Sequence, residues 1–107
     1  MLHTSSETRH LCSELVRILG GPSISLYGNL EEIGERSAVV LTETPLQRRA
    51  KISIACRMNQ LKGTVEACTF EESLGYYVRV KFDRDTRWSP RWFTPKHLYT
   101  LFRSVAA

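Results

Sequence analysis

The chain has 107 residues, a formal net charge of +4, and apolar and charged shares of 42% and 24%. This length predicts one domain with a core large enough to fold without cross-links, and the composition excludes an intrinsically disordered chain. The mild positive charge permits an anionic partner, such as a nucleotide, a nucleic acid or a membrane surface, without requiring one.

Residues 1–8 are polar and show no periodicity, so we predict a flexible N-terminal tail there, before a single domain over 9–103. The three cysteines, Cys12, Cys56 and Cys68, are widely spaced and form no Cys-x-x-Cys pair. This pattern predicts small buried side chains and no metal site. The sequence contains neither a signal peptide nor a long apolar run, which predicts a cytoplasmic protein without membrane insertion.

A period of two dominates the centre of the chain and predicts six strands. They cover residues 14–19, 23–30, 38–41, 50–56, 61–67 and 75–82. In the fifth strand the alternation turns both Val65 and Ala67 inward. Six short strands, each with one apolar face and separated by turn residues, predict a small antiparallel β-barrel.

The C-terminal part changes character. Ser89-Pro90 and Thr94-Pro95 are each typical of a helix start. Leu98, Leu101 and Phe102 follow with the i, i+3, i+4 spacing of an apolar helical stripe. We therefore predict a 3₁₀-like turn over 88–93, whose aromatic residues pack, and then a short helix that caps the barrel. The expected fold is all-β with a short C-terminal helix.

Catalysis has little support in the sequence. No Ser/His/Asp arrangement, GxSxG elbow or glycine-rich phosphate loop is present, so we predict that the protein is not an enzyme. Anion binding is better supported, because arginine suits phosphate contacts. Arg36 lies on a charged turn, and Arg48 and Arg49 lie together before the fourth strand. The alternative is that these arginines are ordinary solvated surface charges.

Four segments in order resemble a known family. They read RHLCSELVRI, NLEEIGERSAVVLTETPL, ISIACRMNQLKGTVEAC and GYYVRVKFDRDTRWSPRWFTPKHL. Together they are similar to PilZ domains, the small bacterial β-barrels that bind the second messenger cyclic di-GMP. The resemblance extends from Arg9 to Phe102, and the RWSPRWFTPKHL ending is its most specific part.

The resemblance implies where a dinucleotide would bind. The family's Arg-x-x-x-Arg motif, which grips phosphates and guanine, matches Arg9 at its second arginine, while its first falls on Ser5. The family's (Asp/Asn)-x-Ser-x-x-Gly turn falls on Glu32, Gly34 and Ser37, and none is identical. If the last position needed a positive φ, serine there would cost about 1 kcal/mol or more, and Gly34 would have to take over the backbone role.

A ligand site would then draw on further arginines in place of the missing one. The implied ligand-binding set is Arg9, Glu32, Gly34, Arg36, Ser37, Arg48 and Arg49. The resemblance thus implies a cyclic di-GMP receptor with weakened or lost binding, which signals to an unknown downstream protein. One alternative is a degenerate adaptor that acts by protein contacts without nucleotide. A nucleic-acid-binding barrel, using the exposed face of the sixth strand, is the least favoured interpretation.

Overall fold

The computed structural model describes residues 8–102, and in that part of the chain it contains seven β-strands and no helix. The strands are β1 (Thr8–Gly20), β2 (Ile24–Ile33), β3 (Ser37–Thr42), β4 (Lys51–Cys56), β5 (Asn59–Glu71), β6 (Gly75–Phe82) and β7 (Tyr99–Phe102). The predicted tail over 1–8 lies outside the described residues except for Thr8, which begins β1. No helix in the described part has the length and apolar character needed to cross a membrane.

Six of the strands close into a barrel in the order β1-β2-β3-β6-β5-β4, and every neighbouring pair is antiparallel. Closure depends on β1, whose residues 17–19 pair with residues 53–55 of β4. The predicted six-stranded antiparallel β-barrel is therefore confirmed. The alternation of apolar and polar residues explains it, because a closed sheet buries one face of every strand.

The core lies inside this barrel and contains the inward residues of all six strands. Ile18, Leu30, Ile54, Val78 and Val80 are completely buried in it. Each such side chain contributes about 1.5–3 kcal/mol relative to an exposed position. These five residues come from four different strands, so the apolar interior holds the barrel together.

A β-bulge changes the facing of residues in β5. Val65 lies opposite Val80, but the next pair along is Ala67 with Arg79, so Glu66 is an extra residue. Arg79 is exposed, and Ala67 shares its outer face. The prediction that Ala67 faces inward was wrong, because one additional residue exchanges the two faces of a strand.

The predicted C-terminal helix is also wrong where the structure describes it. Tyr99–Phe102 form β7, which pairs with residues 8–11 of β1. That edge of β1 is available because β4 covers only residues 17–19. A short isolated helix is marginally stable in water, so pairing with the open edge of β1 is favoured over a helix that has only three apolar residues at helical spacing.

Residues 83–98, which we call the strap, connect β6 to β7. The predicted turn over 88–93 contains a main-chain hydrogen bond from Trp92 N to Ser89 O at 2.9 Å. Trp88 is buried, and its Nε1 donates a hydrogen bond to Phe93 O at 3.0 Å. Its ring packs edge-to-face against the His10 ring, with 5.0 Å between the ring centroids. The predicted packing role of the aromatic residues is thus confirmed for Trp88 and Phe93, whereas Trp92 is exposed.

Candidate functional site

The turn between β2 and β3 carries the residues that the resemblance assigns to a ligand. Gly34 N donates to Ser37 O at 2.9 Å and closes the hairpin. Trp88 N in the strap donates to Glu35 O, and Phe82 N at the end of β6 donates to Arg36 O. Main-chain hydrogen bonds therefore hold this turn between the strap and the barrel.

An irregular register brings Arg9 to this hairpin. The pairing of β2 shifts on both sides around Glu31, against β1 and against β3. After the shift Glu32 lies opposite Leu11 of β1, and His10 lies opposite Ile33. The preceding residue, Arg9, consequently lies beside Gly34 at the end of β2. Such bulges redirect side chains, which here puts an arginine and a glutamate side by side.

The Arg9 guanidinium donates hydrogen bonds to two of the described residues, Glu32 and Ser37. Nε donates to Glu32 Oε2 at 2.9 Å, and Nη1 donates to Ser37 Oγ at 2.8 Å. Arg9 is buried, and Glu32 is partly exposed. Charge-assisted bonds of this kind are short and strong, so the guanidinium is fixed over the hairpin.

Gly34 provides the room that Arg9 needs. A Cβ atom at this position would overlap Arg9 Nη1. The φ angles of Gly34 and Ser37 are both outside the left-handed region. Ser37 therefore incurs no backbone penalty, and Gly34 does not replace a left-handed glycine. The glycine permits close packing of the guanidinium instead.

The other predicted arginines are separated from this cluster. The Arg36 side chain is exposed on the same turn, but Arg48 and Arg49 lie on the loop before β4. A row of cross-strand neighbours joins the two places, from Ser37 through Lys81 and Thr64 to Lys51. Arg48 and Arg49 are thus about three strand spacings, roughly 14 Å, from Ser37 around the barrel. The structure gathers Arg9, Glu32, Gly34 and Ser37, and leaves Arg48 and Arg49 elsewhere.

A second arginine–glutamate pair was missed by the sequence reasoning. Arg57 binds Glu14 through two hydrogen bonds of 2.8 Å, and Lys96 N donates to Glu14 Oε1 at 2.8 Å. Arg57 also donates to Thr94 O at 2.8 Å. The bonds from Arg57 and Lys96 outweigh burial and lower the Glu14 pKa to about 2. The available signal was an acidic residue in the inward phase of β1.

Burial shifts the pKa of two thiols and of His10 in the described part. Burial raises the pKa of Cys12 to about 12 and that of Cys56 to about 11. Both thiols are therefore protonated at neutral pH and behave as small apolar groups. Burial, helped by the charge of Arg9, lowers the His10 pKa. Cys12 and Cys56 are buried as predicted, and Cys68 is half-buried.

Comparisons of the chain with family models, curated proteins and solved structures found no match. The resemblance to PilZ domains therefore rests on the sequence motifs. The candidate site is the cluster of Arg9, Glu32, Gly34 and Ser37 on the β2–β3 hairpin.

Proposed function

We propose that this chain is a PilZ-like barrel that works as a protein-binding adaptor and does not take cyclic di-GMP at the β2–β3 hairpin. One observation carries the proposal. The arginine that the resemblance assigns to the ligand's phosphates already holds Glu32 and Ser37.

The charges at the hairpin explain why this contact opposes a nucleotide. Nε of Arg9 carries a single N–H, which donates to Glu32, so a phosphate can bond Nε only by displacing Glu32. A displaced Glu32 carboxylate would remain close to the incoming phosphate, and two anions at short range repel one another. Glu32 therefore supplies, from within the chain, the negative charge that a dinucleotide would bring.

A cyclic di-GMP receptor is the second candidate, and one observation favours it. Four of the seven residues in the implied set, Arg9, Glu32, Gly34 and Ser37, lie close together at this hairpin, although none of the turn residues matches the family motif. Glu32 is partly exposed, and its movement into solvent would give Arg9 to a phosphate. In this case the ion pair would be the ligand-free state of a working site.

Calorimetric titration with cyclic di-GMP separates the two functions, with GMP as the control ligand. The adaptor proposal predicts no saturable heat with the wild-type protein. It also predicts that Glu32→Gln, which removes the competing charge, gains binding, whereas Glu66→Gln at an exposed carboxylate elsewhere does not. Saturable wild-type binding that Arg9→Ala abolishes would overturn the proposal in favour of the receptor.

The adaptor proposal involves no catalytic step and places the protein in the bacterial cytoplasm. The first part rests on the missing catalytic motifs, and the second on the expectation, drawn from the sequence, that no long apolar run inserts into a membrane. Signalling would pass through contact with another protein, which raises the question of where such a partner docks.

A further inference from the structure

The β1–β2 hairpin and the β5–β6 hairpin both extend beyond the end of β3. β2 pairs with β3 only from Gly28 onward, so its residues 24–27 have a strand neighbour on the β1 side alone within the described residues. An open edge of this kind presents main-chain N–H and C=O groups that can pair with another strand. This four-residue edge is where the protein can accept an additional strand.

A groove of about 460 Å³ lies beside this edge, bordered by the end of β3 and the β5–β6 turn. Gly75 makes the approach of that turn possible, because its φ is +125° and a Cβ atom there would overlap Thr42 O. The turn brings Leu74 to the groove, where exposed Leu15 and Tyr27 also lie. Three large exposed apolar side chains around one groove are unusual unless a partner covers them.

The charges around the groove are negative, although the whole chain is basic. Glu43 lines the groove, and Glu71 and Glu72 lie on the same turn as Leu74; all three are exposed. None of them has an ion pair with another residue of the part that the structure describes. Arg17 is on the β1 side of Tyr27, where it bonds Ser25 and stacks on the ring.

We infer that this groove binds an extended segment of a partner protein that has alternate apolar side chains and lysine or arginine between them. The segment adds as a strand along residues 24–27, its apolar side chains contact Leu15, Tyr27 and Leu74, and its cations face Glu43 and the turn. Main-chain pairing supplies affinity, and side-chain contacts supply selectivity. A second copy fits less well, because a symmetric contact would bring two acidic rims together. The inference rests on the proposed adaptor function and gives it a surface and a partner class.

The test is an NMR titration of the ¹⁵N-labelled full chain with a capped octapeptide that alternates valine and lysine. We expect saturable shifts of the amides at residues 24–27 and at Leu74. A peptide that alternates valine and glutamate, and a valine–lysine peptide with proline at its centre, should not produce them. Binding that ignores the peptide's charge, or no saturation at millimolar peptide, would overturn the inference.

Matched variants locate the contact. Leu74→Ala should weaken peptide binding about ten-fold, whereas Met58→Ala, at an exposed apolar residue on the β4–β5 turn, should not change it. Glu43→Gln should weaken it about three-fold, with Glu66→Gln as the control. Sedimentation that shows a wild-type dimer broken by Leu74→Ala would overturn the inference in favour of a second copy.

The outcome can be separated from that of the adaptor proposal. Cyclic di-GMP binding at Arg9 would contradict the adaptor proposal whatever the peptide does. Peptide-induced amide shifts confined to another surface, such as the surface around the exposed Trp92, would contradict binding in the groove but would be compatible with the adaptor function.

Discussion

Two arginine–glutamate pairs in the part that the structure describes each have one buried partner, which is the arginine in one pair and the glutamate in the other. At the β2–β3 hairpin the arginine is the buried partner, with 6% of the Arg9 side chain exposed against 25% for Glu32. At the strap the acid is the buried partner, with 6% of Glu14 exposed against 49% for Arg57. The buried partner determines what else can bind, because its charge must be compensated. A buried cation can exchange Glu32 for an external anion, whereas the buried Glu14 carboxylate can only repel one.

The same difference distinguishes the Arg9–Glu32 pair, which is a candidate binding site, from the Glu14–Arg57 pair, which links structural elements. Glu14 receives hydrogen bonds from the Arg57 side chain and from the Lys96 main chain, so it joins β1, the β4–β5 turn and the strap. Among the described residues, Arg9 of β1 bonds one hairpin, through Glu32 and Ser37. We therefore expect changes on the strap side to affect stability most, and changes on the hairpin side to affect ligand exchange.

The largest expected effect comes from Trp88, which lies between the two regions. Its ring contacts His10 beside Arg9, and its main chain bonds the hairpin at Glu35. Trp88→Ala should lower the free energy of unfolding by about 3–5 kcal/mol, measured by urea denaturation. Trp92→Ala, at the exposed neighbour, is the control and should cost less than about 1 kcal/mol. Equal losses for the two variants would contradict the buried position of Trp88.

Glu14→Gln breaks the strap-side pair. The loss of its charged hydrogen bonds should cost about 1.5–3 kcal/mol at neutral pH, again measured by urea denaturation. Lys62→Ala, at an exposed lysine without an ion pair in the described part, should have little effect. A similar loss of unfolding free energy in both variants would show that the Glu14 hydrogen bonds do not stabilise the protein more than an exposed side chain does.

The pH dependence sharpens this second test. The folded-state pKa of Glu14, about 2, lies below its ordinary value of 4.5. The contribution of the ionised Glu14 carboxylate to the free energy of unfolding is therefore complete above pH 4.5. It is lost as the pH falls towards 2, because this carboxylate binds a proton more readily in the unfolded chain. Denaturation curves across this range should show a steeper fall for the wild-type protein than for Glu14→Gln. Parallel curves would mean that Glu14 does not titrate as an ion-paired group.

On the hairpin side, Gly34→Ala should cost about 1 kcal/mol, because the new methyl group must push the Arg9 guanidinium aside. A double-mutant cycle tests the cause. In an Arg9→Ala background the space is open, so the same substitution should cost much less. An unchanged cost would show that the backbone at Gly34, and not the packing of Arg9, requires glycine.

The smallest effect is expected at an exposed pair that resembles neither buried one. Lys51 Nζ lies 3.1 Å from Asp83 Oδ1 on the barrel surface. Lys51→Ala should change the free energy of unfolding by less than about 0.5 kcal/mol, and added salt should remove the difference. A loss comparable to that of Glu14→Gln would mean that burial does not distinguish the pairs.

Much of the barrel followed from the local pattern, and its failures have local causes. Four of the six strands were predicted from their alternation of apolar and polar residues, and the first and third from short apolar runs. The structure begins β1 at Thr8, six residues before the predicted start. Ala67 was assigned to the wrong face because a bulge at Glu66 depends on how β5 pairs with β6. The end of the chain was predicted as helix because the open edge of β1 is not visible in residues 98–102.

The sequence by itself determined the six-stranded antiparallel barrel and the apolar residues inside it, because a period of two is a property of each strand alone. It also named Arg9, Glu32, Gly34 and Ser37, although as contacts for a ligand. Only the tertiary structure decided that these residues bond and pack with one another, that Arg48 and Arg49 lie elsewhere, and that Arg57 fastens Glu14 to the strap. Those contacts join residues 23–82 positions apart along the chain, and the register that brings such residues together is set only when the barrel closes.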